Sequence, residues 1–160
     1  MIKLYNSINN KLYYWETWET EEKSAIIHWG LVGEEGDYKE VKGSFFSSFK
    51  KKVDKELTQK IGEGYEAFDE DNYTALIIEY RFDGEFVREN LDKRHRLEDL
   101  LEEFLDTTCL GSVDGGGIGE TFMDVCCLVV DFGIAKKAIE QKLKNTEFAD
   151  YTKIVKEGED

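Results

Sequence analysis

Long apolar runs, a basic leader and recognisable nucleophile–base spacings are all missing from this chain, and each gap closes off a class of function. No stretch approaches the roughly 20 apolar residues needed to span a bilayer, and no basic segment with an apolar core opens the sequence. A cytoplasmic protein without membrane contact is therefore expected. Proline is absent, and histidine occurs only at His28 and His95. No Ser-His-Asp or Cys-His arrangement can be read from spacing, and acid pairs such as Glu102 and Glu103 point about 100 degrees apart on a helix, as a solvated surface does. The expectation is a non-catalytic protein with no cofactor. Cysteine is sparse and odd in number: Cys109, Cys126 and Cys127 cannot all pair within one chain, and the adjacent Cys126 and Cys127 lie in an apolar stretch. The three read as reduced core thiols and not as a metal or redox site.

What is present suffices for a folded core. Hydrophobic residues make up 41% and aromatics 13%, which separates the chain from disordered acidic tails despite its net charge of -14. Its 160 residues fit one ordinary domain or two small ones. The charge is unevenly spread. Residues 1–65 carry ten Lys against eleven Asp or Glu, whereas residues 66–160 carry eleven Lys or Arg against twenty-four acids. Such an acid excess repels a phosphate backbone, so any nucleic-acid contact would have to come from the first part.

Aromatic and β-branched residues from Lys11 to Glu19 predict a strand, followed by a turn at Thr20-Glu21-Glu22. Ser24 to Trp29 and Tyr38 to Lys42 predict two more, giving a three-stranded antiparallel meander. Phe46, Phe49, Val53 and Leu57 recur at helical spacing, with Lys50, Lys51, Lys52 and Lys55 on the remaining arc and a stop expected before Gly62 and Gly64. A domain boundary is expected near residue 70. Beyond it, Tyr73 to Phe82 alternates as a strand, and Leu97, Leu100, Leu101, Phe104 and Leu105 mark a helix that Gly111 would stop. Thr121 to Val130 is apolar on both faces, as a central strand is. Phe132 to Lys144 predicts a helix capped by Asp131 and burying Ala135, Ala138, Ile139 and Leu143, and Tyr151 to Lys156 a last strand. The order β-α-β-β-α-β is the ferredoxin-like one.

Two glycine clusters could be taken for ligand loops. The stretch Trp29-Gly30-Leu31-Val32-Gly33-Glu34-Glu35-Gly36 lacks Gly-Lys-Ser/Thr and would place Glu34, Glu35 and Asp37 beside an anion, so its glycines are read as shaping a turn. Asp114-Gly115-Gly116-Gly117-Ile118-Gly119-Glu120 lacks the strand and helix of a dinucleotide loop and reads as a hairpin or bulge. Asp114, Glu120, Asp124 and Asp131 lack the spacing of a calcium loop.

The first cluster resembles the signature of the WGR domain, Trp-Gly-Arg-Val-Gly followed by two variable residues and Gly. The aromatic strand before it and the Phe- and Lys-bearing helix leading to Gly64-Tyr65 extend the resemblance over residues 1–68. It implies contact with DNA or RNA, because WGR domains of poly(ADP-ribose) polymerases touch DNA ends. Here Leu31 stands at the motif's arginine, so a guanidinium contact does not carry over. The candidate binding residues are Trp29, His28, Lys50, Lys51, Lys52 and Lys55, joined by the strand tryptophans Trp15 and Trp18.

The sequence therefore predicts an α+β protein: an antiparallel sheet-plus-helix WGR-like unit over residues 1–68, packed on an acidic βαββαβ ferredoxin-like unit over residues 72–160. Met123, Val125, Cys127 and Val129 are expected on a sheet face that the first unit or a second copy must cover, which allows a homodimer through that sheet. The expected function is binding to a protein partner, one of basic character such as an immunity-type acidic protein would mask. The alternative is a nucleic-acid accessory protein acting through the basic helix and Trp29.

Overall fold

The computed structural model describes residues 1–45, 47–83 and 88–159. Among these it is an α+β structure with three helices and two four-stranded antiparallel sheets. The chain divides into two compact units, residues 1–69 and 70–160. Phe46, assigned above to the first helix, lies outside the described residues.

The first unit is a meander of four strands, one more than the sequence reading anticipated: β1 Ile2–Ile8, β2 Lys11–Glu19, β3 Ser24–Leu31 and β4 Asp37–Lys42, in that order across the sheet. The added strand is β1. Ile8 pairs with Lys11, leaving Asn9 and Asn10 as a two-residue loop with φ of 52° and 60°. Positive φ at both loop residues suits the twist of a tight hairpin, and asparagine tolerates it. Helix α1, Phe49–Gly62, starts at Ser48, whose hydroxyl accepts from the Lys51 amide, and runs through Gly62. The left-handed residue that ends it is Gly64, at φ 92°. Phe49, Val53 and Leu57 of α1 pack on a buried set comprising Leu4, Trp15, Ile27, Val41 and Tyr65. The register Trp15↔Trp29 and Ala25↔Val41 fixes which residues share this α1-facing side: Trp15, Ile27, Trp29, Lys39 and Val41 do.

The second unit follows β5 Thr74–Arg81, α2 Arg88–Thr107, β6 Gly111–Gly115, β7 Phe122–Val129, α3 Phe132–Leu143 and β8 Lys153–Lys156. Its sheet runs β6-β7-β5-β8 with every neighbouring pair antiparallel, the ferredoxin-like arrangement. Asp131 caps α3 through the Ile134 amide, and Ala135, Ile139 and Leu143 are buried, with Ala138 half-buried. Two expectations need correction. Gly111 does not stop α2. The helix ends at Thr107, Cys109 adopts φ 51°, and the Leu110 amide reaches back to the Leu105 carbonyl, so a cysteine fills the left-handed capping position. Gly111 is instead required at the start of β6, where a Cβ would fall 1.9 Å from the Leu128 carbonyl oxygen. Nor do Met123, Val125, Cys127 and Val129 form the face that awaits a cover. They are fully buried with their cross-strand partners Leu76, Ile78 and Tyr80 on the helix side, where Lys93 of α2 sits over the Tyr80 ring. Alternation alone cannot say which face the helices take. The opposite face, with Ala75, Ile77, Cys126 and Leu128, is half-buried.

The second glycine cluster turns its amides inward. The Gly117 amide donates to Asp124 Oδ1 at 2.8 Å, and the Gly119 amide to the Phe122 carbonyl at 2.8 Å, closing a bulged hairpin. No helix among the described residues is long and apolar enough to cross a membrane.

Burial pushes the Cys127 thiol up to about 12, with Cys126 and Glu102 adding to the shift. The folded protein therefore holds this thiol protonated where the unfolded chain ionises it near 9, and stability present below pH 9 is lost as pH rises toward 12. Urea midpoints are expected to fall over this range, the thiol contributing up to about 1.4 kcal/mol per pH unit, and that part of the decline is expected to vanish in Cys127→Ala.

Candidate functional site

Two groups of residues in the first unit carry chemistry, one on each face of its sheet. On the face away from α1, the register places Glu16 opposite His28 and Tyr14 opposite Gly30. The His28 Nδ1–H donates to Glu16 Oε1 at 2.8 Å, and Nε2 faces the Tyr14 hydroxyl at 2.8 Å and the Glu35 carbonyl. Lys3 Nζ stands 3.2 Å from Glu16 Oε2, an ion-pair distance, although that oxygen accepts no directed hydrogen bond from the described residues. The Tyr14 hydroxyl donates to the Glu35 carbonyl at 2.8 Å. Tyr14 is fully enclosed and His28 is only 8% exposed, so this chain of polar groups is consumed in holding the turn between β3 and β4.

That turn explains the glycines of the first cluster. A Cβ on Gly36 would fall 2.3 Å from the Tyr14 hydroxyl oxygen and 2.4 Å from the Trp29 carbonyl, at a φ of 68°. A Cβ on Gly30 would meet the Gly36 Cα at 2.8 Å. The tyrosine tip occupies the space that side chains would need, so the glycines serve close packing.

The other face offers an open groove of about 740 Å³ between β3, β4 and α1. Trp15 and Val41 form its floor, Trp29 lies at 36% exposure along it, and its walls carry Lys39, Lys52, Lys55 and Lys60 with Glu56, while Glu40 and Lys42 border it with their side chains on the other face of the strand. Half of these lysines are already paired. Lys39 pairs with Glu56 at 2.8 Å, Lys42 with Glu40 at 2.9 Å, and Lys60 with Glu63 at 2.7 Å. Glu40 is held below the usual carboxylate range by the Ser24 hydroxyl and then by Lys42. Lys39 Nζ also stands 5.7 Å from the Trp29 ring centroid. Lys52 donates to the Lys42 carbonyl at 2.8 Å. Lys55 makes no ion pair among the described residues, so Lys52 and Lys55, one helical turn apart, are the two cations not matched by a carboxylate.

The candidates named from sequence thus separate. Trp29, Lys52 and Lys55 meet in the groove, and Trp15, 1% exposed, lies beneath it as core. His28 and Trp18, their rings edge-on at 6.4 Å, belong to the opposite face. Lys50 pairs with Glu19 at 3.0 Å beside a smaller depression, and Lys51 points to solvent. Sequence reasoning missed Lys39, Lys42 and Lys60. The alternating charges of Asp37-Tyr38-Lys39-Glu40-Val41-Lys42 were the available signal, since charged side chains are usual on an exposed edge strand.

Two substitutions test the turn. Tyr14→Phe keeps the ring and deletes the donor to Glu35, and is expected to cost about 1.5 kcal/mol in denaturant unfolding. Gly36→Ala is expected to cost about 3 kcal/mol from clash and left-handed strain. Gly62→Ala, whose Cβ meets nothing within 4 Å, is expected to be neutral or to stabilise by up to about 1 kcal/mol.

Comparison with protein-family models, with curated proteins and with solved structures finds no match for this chain, so its function has to be argued from the chemistry of the groove.

Proposed function

We propose that this chain is a non-catalytic binding protein that acts through a protein partner, with the groove between β4 and α1 as its contact surface. The observation that carries this is the exposed Trp29 set among Lys39, Lys52, Lys55 and Lys60 on a concave, accessible surface. Tryptophan is among the side chains most enriched as anchors of protein interfaces. The Tyr14 hydroxyl and both His28 ring nitrogens are engaged with one another, with Glu16 and with the turn, which gives a catalytic reading little to build on.

Nucleic acid is the second reading, favoured by Trp29 as a stacking surface and by the WGR-like spacing around it. Charge weighs against it. Phosphate-backbone binding commonly rests on roughly six to ten cationic contacts. This groove has two lysines unmatched by a carboxylate, on a chain of net charge -14. Two cations beside an indole suit a short acidic stretch of polypeptide. The acid excess of the whole chain acts at long range and favours basic molecules, whereas the groove selects the opposite sign locally.

The test is a tryptophan-fluorescence titration of the full chain with poly-glutamate, single-stranded DNA and RNA, and DNA ends, each at two salt concentrations. Saturable quenching by poly-glutamate is expected, absent in Trp29→Phe and weakened about tenfold in Lys52→Glu/Lys55→Glu. Micromolar or tighter nucleic-acid binding that falls steeply with salt would replace this reading with the second one.

A further inference from the structure

The first sheet has two edges, and they differ. Along β1, the Tyr5 amide donates to the Glu66 carbonyl at 2.8 Å and the Glu66 amide to the Tyr5 carbonyl at 3.0 Å, so the segment after α1 covers that edge. Along β4, no backbone group of the described residues pairs with the outer side. Strand alternation identifies the groups left over. The Ser24 carbonyl accepts from the Thr20 amide and the Ile26 carbonyl from the Thr17 hydroxyl, which turns both residues toward β2. Ala25, Ile27 and Trp29 then bond to Val41, Lys39 and Asp37. Tyr38, Glu40 and Lys42 direct their N–H and C=O groups outward. The Lys42 carbonyl already takes a donor from the α1 side, the Lys52 ammonium at 2.8 Å. Five of the six residues of β4 are exposed, Tyr38 at 75%.

We infer that an extended, acidic segment of a protein partner adds to β4 as a fifth strand, lying in the groove between β4 and α1. The inference rests on the binding function proposed above and names its geometry. An unpaired edge beside a helix supplies main-chain hydrogen bonds along one side of the incoming strand and a wall along the other. Side chains of that strand alternate, so every second one faces α1. Carboxylates at those positions reach Lys52 and Lys55, and one apolar side chain on the same face covers Trp29. The charges on Lys39, Glu40 and Lys42 deter uncharged edges from pairing, the usual protection of an open strand, and so make the sign of the incoming segment decisive.

The experiment uses the full chain and a capped peptide of about eight residues, long enough to span β4, in which every second position is Glu save one Val and the intervening positions are Thr. Amide hydrogen exchange by NMR reports the edge, and tryptophan fluorescence reports the groove. Binding is expected to protect the Tyr38 and Glu40 amides at least about tenfold. N-methylation of the peptide at every second residue is expected to weaken binding about tenfold in one phase of the alternation and little in the other. Tyr38→Pro, which removes an outward N–H, is expected to weaken binding where Tyr38→Ala does not, with the far-ultraviolet circular dichroism of both variants checked against the parent. Binding that quenches Trp29 and is lost in Lys52→Glu/Lys55→Glu, yet leaves β4 amides unprotected and ignores N-methylation, overturns strand addition and leaves the binding function standing. No binding up to millimolar peptide overturns both. Protection of β4 that appears without peptide and grows with protein concentration, alongside a dimer in sedimentation, assigns the edge to a second copy and overturns the acidic-segment proposal.

Discussion

The hydroxyl of Tyr14 sets the geometry of the turn between β3 and β4. It enters the turn between β3 and β4, donates to the Glu35 carbonyl, and stands 2.8 Å from a ring nitrogen of His28. The turn can close around it only where Gly30 and Gly36 lack side chains. Closing the turn aligns Trp29 with Asp37 and Ile27 with Lys39, which sets the register of β4 against β3. With that register fixed, Lys39 and Val41 face α1 and the outer backbone groups of Tyr38 and Glu40 face away from the sheet. The groove and its bare edge are downstream of one buried hydroxyl. A polar group enclosed to this degree is costly to leave without its partners, so the network carries structural weight.

Charge is distributed on two scales with opposite meaning. The chain carries a net -14, and its excess of acids lies past residue 65, so its far field repels polyanions. Within the groove, lysines outnumber carboxylates, but Lys39 and Lys60 are neutralised by Glu56 and Glu63 at salt-bridge distances. These exposed pairs contribute little to stability. What they do is position side chains, leaving Lys52 and Lys55 as the local surplus beside Trp29. The surplus is local and small, two cations on one helix beside an indole.

The parts of the fold that sequence reveals are those dictated by local periodicity. Leu97, Leu101 and Leu105 mark α2, Asp131 marks the start of α3, and the alternation of β5 and β7 marks two central strands, because each signal acts through neighbours a few residues away. The strand β1 was equally local, yet Asn9-Asn10 signals a hairpin only when asparagine is given its tolerance for positive φ. Cys109 in the left-handed position was not legible, since Gly111 two residues later is the more usual choice and is needed for a different reason, the approach of the Leu128 carbonyl. The site was legible only as a list. Trp15 and Trp29 look alike in sequence and share a sheet face, but one forms the core and the other its rim. Lys50 and Lys52 are two residues apart on α1 and serve different surfaces. Those distinctions arise from tertiary packing between elements that carry no mark of one another.

The likeness of residues 29–36 to the WGR signature illustrates how much a spacing can convey. In this chain Gly30 and Gly36 each have a complete local account in the turn that encloses Tyr14, and Gly33 supplies the positive φ of 93° that the turn also needs. A pattern explained by backbone geometry would recur wherever a tyrosine from one strand plugs the turn after its neighbour, whatever the protein binds. The residue able to convey phosphate chemistry is the one that departs, Leu31 in place of arginine. Of the remaining positions, Trp29 is the one exposed aromatic, and an exposed indole serves a peptide as well as a base. Around that indole stand two lysines unmatched by a carboxylate on a helix, and a strand edge whose outer backbone groups pair with no backbone group of the described residues.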